Sequence, residues 1–194
     1  MESGGLHVDV GTGDGAFVYK SAFASPERFF VGIDANGDGL VGVSRRAAAK
    51  PSRGGVPNTL FVLAAVEALP AELAGLAGSV TVLFPWGSLL RSVAVPVPET
   101  LRSLRTLCRE GAELHVVFGY EVAVERKPIE ALGLPEATDA HLQRNLVPAF
   151  ASAGFDVRVS HLARAELETL PTTWAKRLRF GRNRTYWKIR GRAV

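Results

Sequence analysis

Val8-Asp9-Val10-Gly11-Thr12-Gly13-Asp14-Gly15 is a short apolar run that breaks into alternating glycines. Residues 6–10 predict a buried strand, and residues 14–24 predict a helix with Tyr19 and Phe23 four apart on one face. Glycines between a strand and a helix let the backbone turn sharply and approach a ligand closely. Gly11-x-Gly13-x-x-Ala16 also fits a dinucleotide fingerprint. The charges point elsewhere. Asp9 stands just before the first glycine, where a carboxylate would crowd a pyrophosphate, and Asp14 adds a second negative charge. S-adenosylmethionine instead brings an ammonium and a sulfonium, both positive, and is the expected cofactor.

Outward from this loop, strand and helix patterns alternate. Strands are expected at 29–33, 59–64, 80–84, 113–119, 155–161 and 185–189. Helices are expected at 40–50, stopped by Pro51, at 98–109 and at 140–153, with a short helix inside 67–78. Leu101, Leu104, Leu107 and Cys108 share one face of the 98–109 helix, and Gly111 is placed to cap it. Residues 121–137 read as irregular, and 172–184 as helical at first and then a basic loop. The alternation implies an α/β fold over 1–194 as one domain: a doubly wound, mostly parallel, seven-stranded sheet with one antiparallel edge strand. Ligands in such sheets lie beyond the carboxyl ends of the strands. The Gly loop, Asp34, Glu67 and Trp86 all follow expected strands, so all four are expected to converge on one crevice. At the end of its strand, the Asp34 carboxylate can accept both ribose hydroxyls.

Composition narrows the class. The 194 residues are 47% apolar, enough for a substantial core, with no run long enough to span a membrane. The first residues lack a signal-peptide pattern, and the single cysteine, Cys108, cannot form an internal disulfide. A cytoplasmic location is expected. Net charge is +4, and it is unevenly spread. No acid occurs between Gly39 and Val66, where Arg45, Arg46, Lys50 and Arg53 lie. From Thr169 onward there is again no acid, against eight Lys and Arg. Acid-free basic segments near 42–58 and 172–184 suit a nucleic-acid partner. Metal sites are not expected. The four histidines lack ligand spacing, and Asp34-Ala35-Asn36-Gly37-Asp38-Gly39 opens like a calcium loop but carries Arg45 where the bidentate glutamate belongs. Trp86 and Trp174 offer flat surfaces for a second ring, whereas Trp187, inside the last expected strand, reads as structural.

Together these motifs resemble the aminoglycoside-resistance 16S rRNA methyltransferases that modify N1 of adenine 1408 (rRNA numbering). The resemblance runs from Val8 to about Arg184 and rests on VDVGTGDG, AAAKPSRGGVPN (47–58), VEALP (66–70), PWGSLLR (85–91) and TTWAKRL (172–178). It implies the seven-stranded S-adenosylmethionine-dependent (class I, Rossmann-like) fold. By resemblance, Asp9, Gly11 and Gly13 hold the methionine end of the cofactor, Asp34 its ribose, and Val66 and Glu67 its adenine. Trp86 and Trp174 would sandwich the flipped target adenine, with Ser88 shaping that pocket. Arg177, Arg182 and Arg184, with Arg46, Lys50 and Arg53, match positions that grip rRNA. Two departures stand out. Family members carry a hairpin ahead of their first strand, which here is expected almost at Met1, and Ala65 stands where some have threonine.

The implied reaction needs no general base, because N1 of neutral adenine carries a lone pair and no proton. The implied partner is the 30S subunit, met by a monomer, since a lone subunit would suffice. The competing readings are methylation of another RNA base, such as guanine N7, and an RNA-binding relative without strong catalysis. A nicotinamide oxidoreductase would need a hydride-transfer acid, and no tyrosine–lysine pair is apparent.

Overall fold

The computed structural model describes residues 5–120, 125–173, 175 and 185–194. Seven strands form one sheet: β1 (Leu6–Val10), β2 (Phe29–Asp34), β3 (Thr59–Leu63), β4 (Ala77–Leu83), β5 (Cys108–Phe118), β6 (Phe155–His161) and β7 (Trp187–Ala193). Their order is β3-β2-β1-β4-β5-β7-β6. The first five strands pair in parallel, and β7 pairs antiparallel with both β5 and β6. The antiparallel strand therefore lies one place in from the rim, and its pairing with β6 makes that edge.

Helices cover both faces. On one, α1 (Ala16–Ala24) and α2 (Gly37–Ala47) pack Val18, Tyr19, Ala22 and Ala47 against Phe30 and Val56. On the other, α3 (Gly87–Ala94) and α4 (Pro98–Leu107) bury Leu90, Val93, Leu101 and Leu104 on Val8, Val80 and Val82. The α5 helix (Arg126–Leu132) adds Ile129 to this larger core. So does a helical run made of α6 (Asp139–His141), a π-helical stretch (Leu142–Leu146) and α7 (Val147–Ser152). Pro148 has no N–H to donate, which fits the widened turn just before it. The α8 helix (Arg164–Thr169) joins β6 to the segment ahead of β7. Among the described residues no helix is long and apolar enough to cross a membrane.

Several elements differ from the sequence expectation. The α2 helix begins at Gly37 rather than 40, because Asn36 Oδ1 accepts from the Asp38 N–H and caps it. The calcium-like segment is thus a helix start. The short helix expected within 67–78 takes the form of two 3₁₀ helices of three residues each, Val66–Ala68 and Ala71–Leu73. Cys108 is not on α4 but is the first residue of β5, buried, with Gly111 inside a bulge rather than at a helix cap. Across that bulge the register jumps from Ala77↔Cys108 to Ser79↔Glu113. The helices α3, α5 and α8 were not expected, and the last strand runs to Ala193.

Candidate functional site

The C-terminal ends of β1 to β4 open onto one cleft of about 610 Å³, within the size range of small-molecule sites. The loop after β1 forms its floor. The Gly11 and Thr12 N–H groups donate to Ile33 O at 2.8 and 3.0 Å, which ties the loop to the end of β2. Asp34 secures the next turn, its Oδ2 accepting from Gly13 N at 2.7 Å and its Oδ1 from Asn36 N at 2.8 Å. Each carboxylate oxygen accepts more than one donor, so Asp34 keeps acceptor capacity facing the cleft. Gly15 stands at φ 66 as the first residue ahead of α1, and a Cβ there would lie 2.6 Å from the Phe61 ring. The backbone conformation and the packing both require glycine at this point.

Asp9 lies at the bottom of the cleft and is 2% exposed. Burial pushes its carboxyl up to about 7, against the hydroxyls of Thr81 and Thr12, which hold it down, while Asp34 adds to the rise. Thr81 Oγ1 donates to Asp9 Oδ1 at 2.5 Å. Thr12 Oγ1 is also buried and acts by proximity alone, because it has no partner within hydrogen-bonding geometry. An orphaned buried hydroxyl on a cleft wall is a group a ligand can satisfy.

The opposite wall is built from a strained turn. Phe84, the residue after β4, has φ 52 and precedes a proline, a combination that costs on the order of 1–3 kcal/mol. Its N–H donates to Val117 O at 2.7 Å, and its ring meets Tyr186 edge-on at 5.8 Å. The turn delivers Trp86 to the start of α3 with 51% of its surface exposed, unusual for the largest apolar side chain. Ser88 and Leu89 on the first turn of α3 complete this wall.

Eight of the sequence-derived site residues therefore line a single cleft: Asp9, Gly11, Gly13, Asp34, Val66, Glu67, Trp86 and Ser88. Trp174, Arg177, Arg182 and Arg184 lie outside the described residues. The chain beside position 174 is described. Thr173 Oγ1 donates to Asp14 Oδ2 at 2.6 Å, Lys20 Nζ to Pro171 O at 2.8 Å, and Ala175 is buried with Leu83, Val117 and Tyr186. Thr172 and Thr173 thus belong to the cleft rim. Arg46, Lys50 and Arg53 are exposed at the far end of α2 and the turn after it. The α2 helix, whose start adjoins the cleft at Asn36, is about 16 Å long at 1.5 Å per residue. The Arg46 guanidinium lies over the Tyr19 ring at 4.3 Å. Trp187 is buried, as its place in a strand implies.

Sequence reasoning missed Thr12, Phe84, Thr172 and Thr173, and also the buried polar residues His7, Ser79 and Thr81 behind Asp9. A signal was present for the last three. His7-Val8-Asp9 and Ser79-Val80-Thr81 alternate polar and apolar residues in strands otherwise read as continuously apolar.

The residues present fit a small cationic nucleoside ligand. Asp9, Asp14, Asp34 and Glu67 all line the cleft, and the backbone approaches closely at three glycines. Among the described residues no group of three or more His, Cys, Asp and Glu is arranged to hold a metal ion.

Known proteins resemble this chain over nearly its whole length. Residues 2–193 match the family model described as NpmA: 16S rRNA (adenine(1408)-N(1))-methyltransferase. A 16S rRNA (adenine(1408)-N(1))-methyltransferase of Escherichia coli is 36% identical over 188 residues, 96% of this chain and 86% of that protein. One of Streptoalloteichus tenebrarius is 40% identical over 178 residues, 91% of this chain and 81% of its own length. Among solved structures, the aminoglycoside resistance methyltransferase NpmB1 superposes with a TM-score of 0.86 at 41% identity, covering 98% of this chain and 87% of that one. A tryptophan-to-alanine mutant of the Catenulisporales acidiphilia enzyme, crystallised with cosubstrate SAM, gives a TM-score of 0.88 at 37% identity over 100% of this chain and 86% of that one.

Proposed function

The chain belongs to the 16S rRNA (adenine(1408)-N(1))-methyltransferase family, and from that membership we propose that it methylates N1 of adenine 1408 in the small ribosomal subunit, with S-adenosylmethionine as donor and aminoglycoside resistance as the outcome. The observation that carries this reading is the convergence of the glycine loop, Asp34, the Val66–Glu67 turn and the exposed Trp86 on one cleft.

When bound, S-adenosylmethionine supplies an electrophilic methyl on a sulfonium, which a neutral adenine N1 can take with its own lone pair. The residues of this chain then have positioning work to do, the larger part of such a rate enhancement. Asp9, with the backbone of Gly11 and Gly13, holds the methionine end. Asp34 takes the ribose hydroxyls, and Val66 and Glu67 meet the adenine ring. Trp86 and Trp174 clasp the target base, and Ser88 limits where its edge can lie. Extruding a base from folded RNA costs a few kcal/mol, and each stacked aromatic ring returns roughly 1–3 kcal/mol. The two indole faces also suit the cationic product.

Arg46, Lys50 and Arg53 bind phosphates away from the target base, and Arg177, Arg182 and Arg184 bind further phosphates of the rRNA. Contacts this widely spaced select a folded rRNA surface rather than a sequence. The substrate is therefore the assembled 30S subunit, and one protein subunit suffices. The test is label transfer from S-adenosylmethionine to 30S subunits and to naked 16S rRNA, followed by primer extension. The expected result is methylation of the 30S subunit with a stop at adenine 1408. Equal labelling of naked rRNA, or a stop elsewhere, contradicts the reading.

A further inference from the structure

The face of the sheet covered by α1 carries a row of buried polar side chains behind Asp9. His7 and Asp9 are two apart on β1, and Ser79 and Thr81 are two apart on β4. The register sets His7 beside Ser79 and Asp9 beside Thr81. Side chains two apart on a strand share a face, so all four line up. Arg28, just ahead of β2, extends the row to the molecular surface.

The distances make it continuous. Arg28 Nη2 donates to Ser79 Oγ at 2.9 Å, and Ser79 Oγ lies 2.7 Å from His7 Nδ1. His7 Nε2 lies 3.1 Å from Thr81 Oγ1, which donates to Asp9 Oδ1. The Phe17 and Phe30 rings enclose the imidazole at 5.7 and 5.3 Å. Burial, with Arg28 and His115 nearby, lowers His7 to about 3, so the ring is neutral. A neutral imidazole has one donor and one acceptor nitrogen, a guanidinium only donates, and a carboxylate only accepts. With these two ends fixed, one order uses every proton in the row. Arg28 donates to Ser79, Ser79 to His7 Nδ1, His7 Nε2 to Thr81, and Thr81 to Asp9.

The geometry points to His7, with its proton on Nε2, as a positioning residue that acts through Thr81 to hold the Asp9 carboxylate aimed into the cleft for the ammonium of the methyl donor. This rests on the assignment of Asp9 to the methionine end of S-adenosylmethionine. Buried polar groups in a sheet centre are costly unless fully bonded, and valines would fill these positions without that demand. A row with every donor directed one way stabilises negative charge at its end and fixes which carboxylate oxygen is left for a ligand. His7 touches no substrate, so its effect is confined to the amino-acid half of the donor.

Calorimetric titration separates the two halves. S-adenosylmethionine and 5′-methylthioadenosine, which lacks the amino acid, are titrated into the parent protein, Asp9→Asn, Thr81→Val, His7→Phe and His7→Gln. Thr81→Val and His7→Phe are expected to weaken S-adenosylmethionine roughly tenfold or more, as for loss of a bond to a charged group. 5′-Methylthioadenosine should stay within about twofold, and the Nε2 donor of glutamine should restore much of the loss in His7→Gln. The ¹⁵N shifts of His7 in the unliganded parent above about pH 8, where the Asp9 carboxyl is ionised, read the same claim without a substitution and should show the Nε2–H tautomer. An Nδ1–H tautomer, or parent-like S-adenosylmethionine binding by Thr81→Val and His7→Phe while Asp9→Asn loses it, overturns the relay and leaves the role of Asp9 standing. Indifference of S-adenosylmethionine to Asp9→Asn overturns the assignment of Asp9 and the relay with it.

Discussion

At the scale of single residues, Asp9 couples folding, ligand and pH. Its carboxyl is raised to about 7 by burial, so between its ordinary value near 4 and that point the folded chain holds a proton the unfolded chain releases. The stability it contributes is full below the ordinary value and is lost as pH rises through about 7. A cationic ligand beside Asp9 has the opposite sign, because binding expels the proton. Affinity for S-adenosylmethionine is therefore expected to fall several-fold on acidification from about pH 7.5 to about 5.5, while Asp9→Asn binds weakly and evenly across that range. Calorimetry at three or four pH values checks this, and a parent profile as flat as that of Asp9→Asn counts against it. The tryptophans divide the work differently. Loss of one stacking face costs about 1–3 kcal/mol, so Trp86→Ala and Trp174→Ala should each lower kcat roughly 5- to 150-fold with donor affinity almost unchanged. Asp34→Ala should do the reverse and raise the KM for S-adenosylmethionine first. It removes the ribose acceptor and the tether that Gly13 N and Asn36 N share.

Between residues and the whole lie the elements, and here legibility was uneven. Strands buried on both faces write themselves as apolar runs, so β1 and β2 were readable almost to the residue; β3 and the antiparallel β6 at the two sheet edges were too, whereas β4 begins at Ala77 rather than at 80. Short helices were not readable. The α3 helix, Gly87–Ala94, opens with glycine and serine after a proline, and its Leu89, Leu90, Val93 and Ala94 complete barely two turns. The α8 helix is six residues with three acids and bases among them, a pattern that solvent and helix explain equally well. Cys108 was misplaced because helical spacing from Leu104 continues through it, while pairing with Ala77 draws it into the sheet. The cleft was legible because its residues sit at strand ends in order. The relay behind Asp9 was hidden, since register between β1 and β4 is a long-range fact that no local spacing records. At this scale the loop-to-helix junction makes a stability prediction. Gly15→Ala puts an L-residue at φ 66, costing roughly 1–2 kcal/mol before its Cβ meets Phe61 and Val43 at 2.6 and 2.7 Å. Thermal unfolding should show a drop of several degrees, and an unchanged midpoint would mean the turn is not built this way.

For the molecule as a whole, charge decides how the site reaches its target. The cleft gathers carboxylates for a cationic donor, while Arg46, Lys50 and Arg53 lie outside it, on α2 and its following turn. This separation lets a chain of net charge +4 bind a polyanion without filling its own cofactor site with phosphate. Binding to 30S subunits should weaken steeply with salt, and each single replacement among Arg46, Lys50, Arg53, Arg177, Arg182 and Arg184 should reduce the slope of log K against log salt by about one. Donor affinity should not follow salt in the same way. The most direct measurement is a structure of the protein on the 30S subunit with a non-transferable donor analogue bound. Adenine 1408 is expected out of its helix between the rings of Trp86 and Trp174, with N1 facing the donor's methyl-bearing centre and the donor's amino acid at Asp9. Adenine 1408 still stacked in its helix, or the donor lying away from the Gly11–Gly15 loop, would contradict the account.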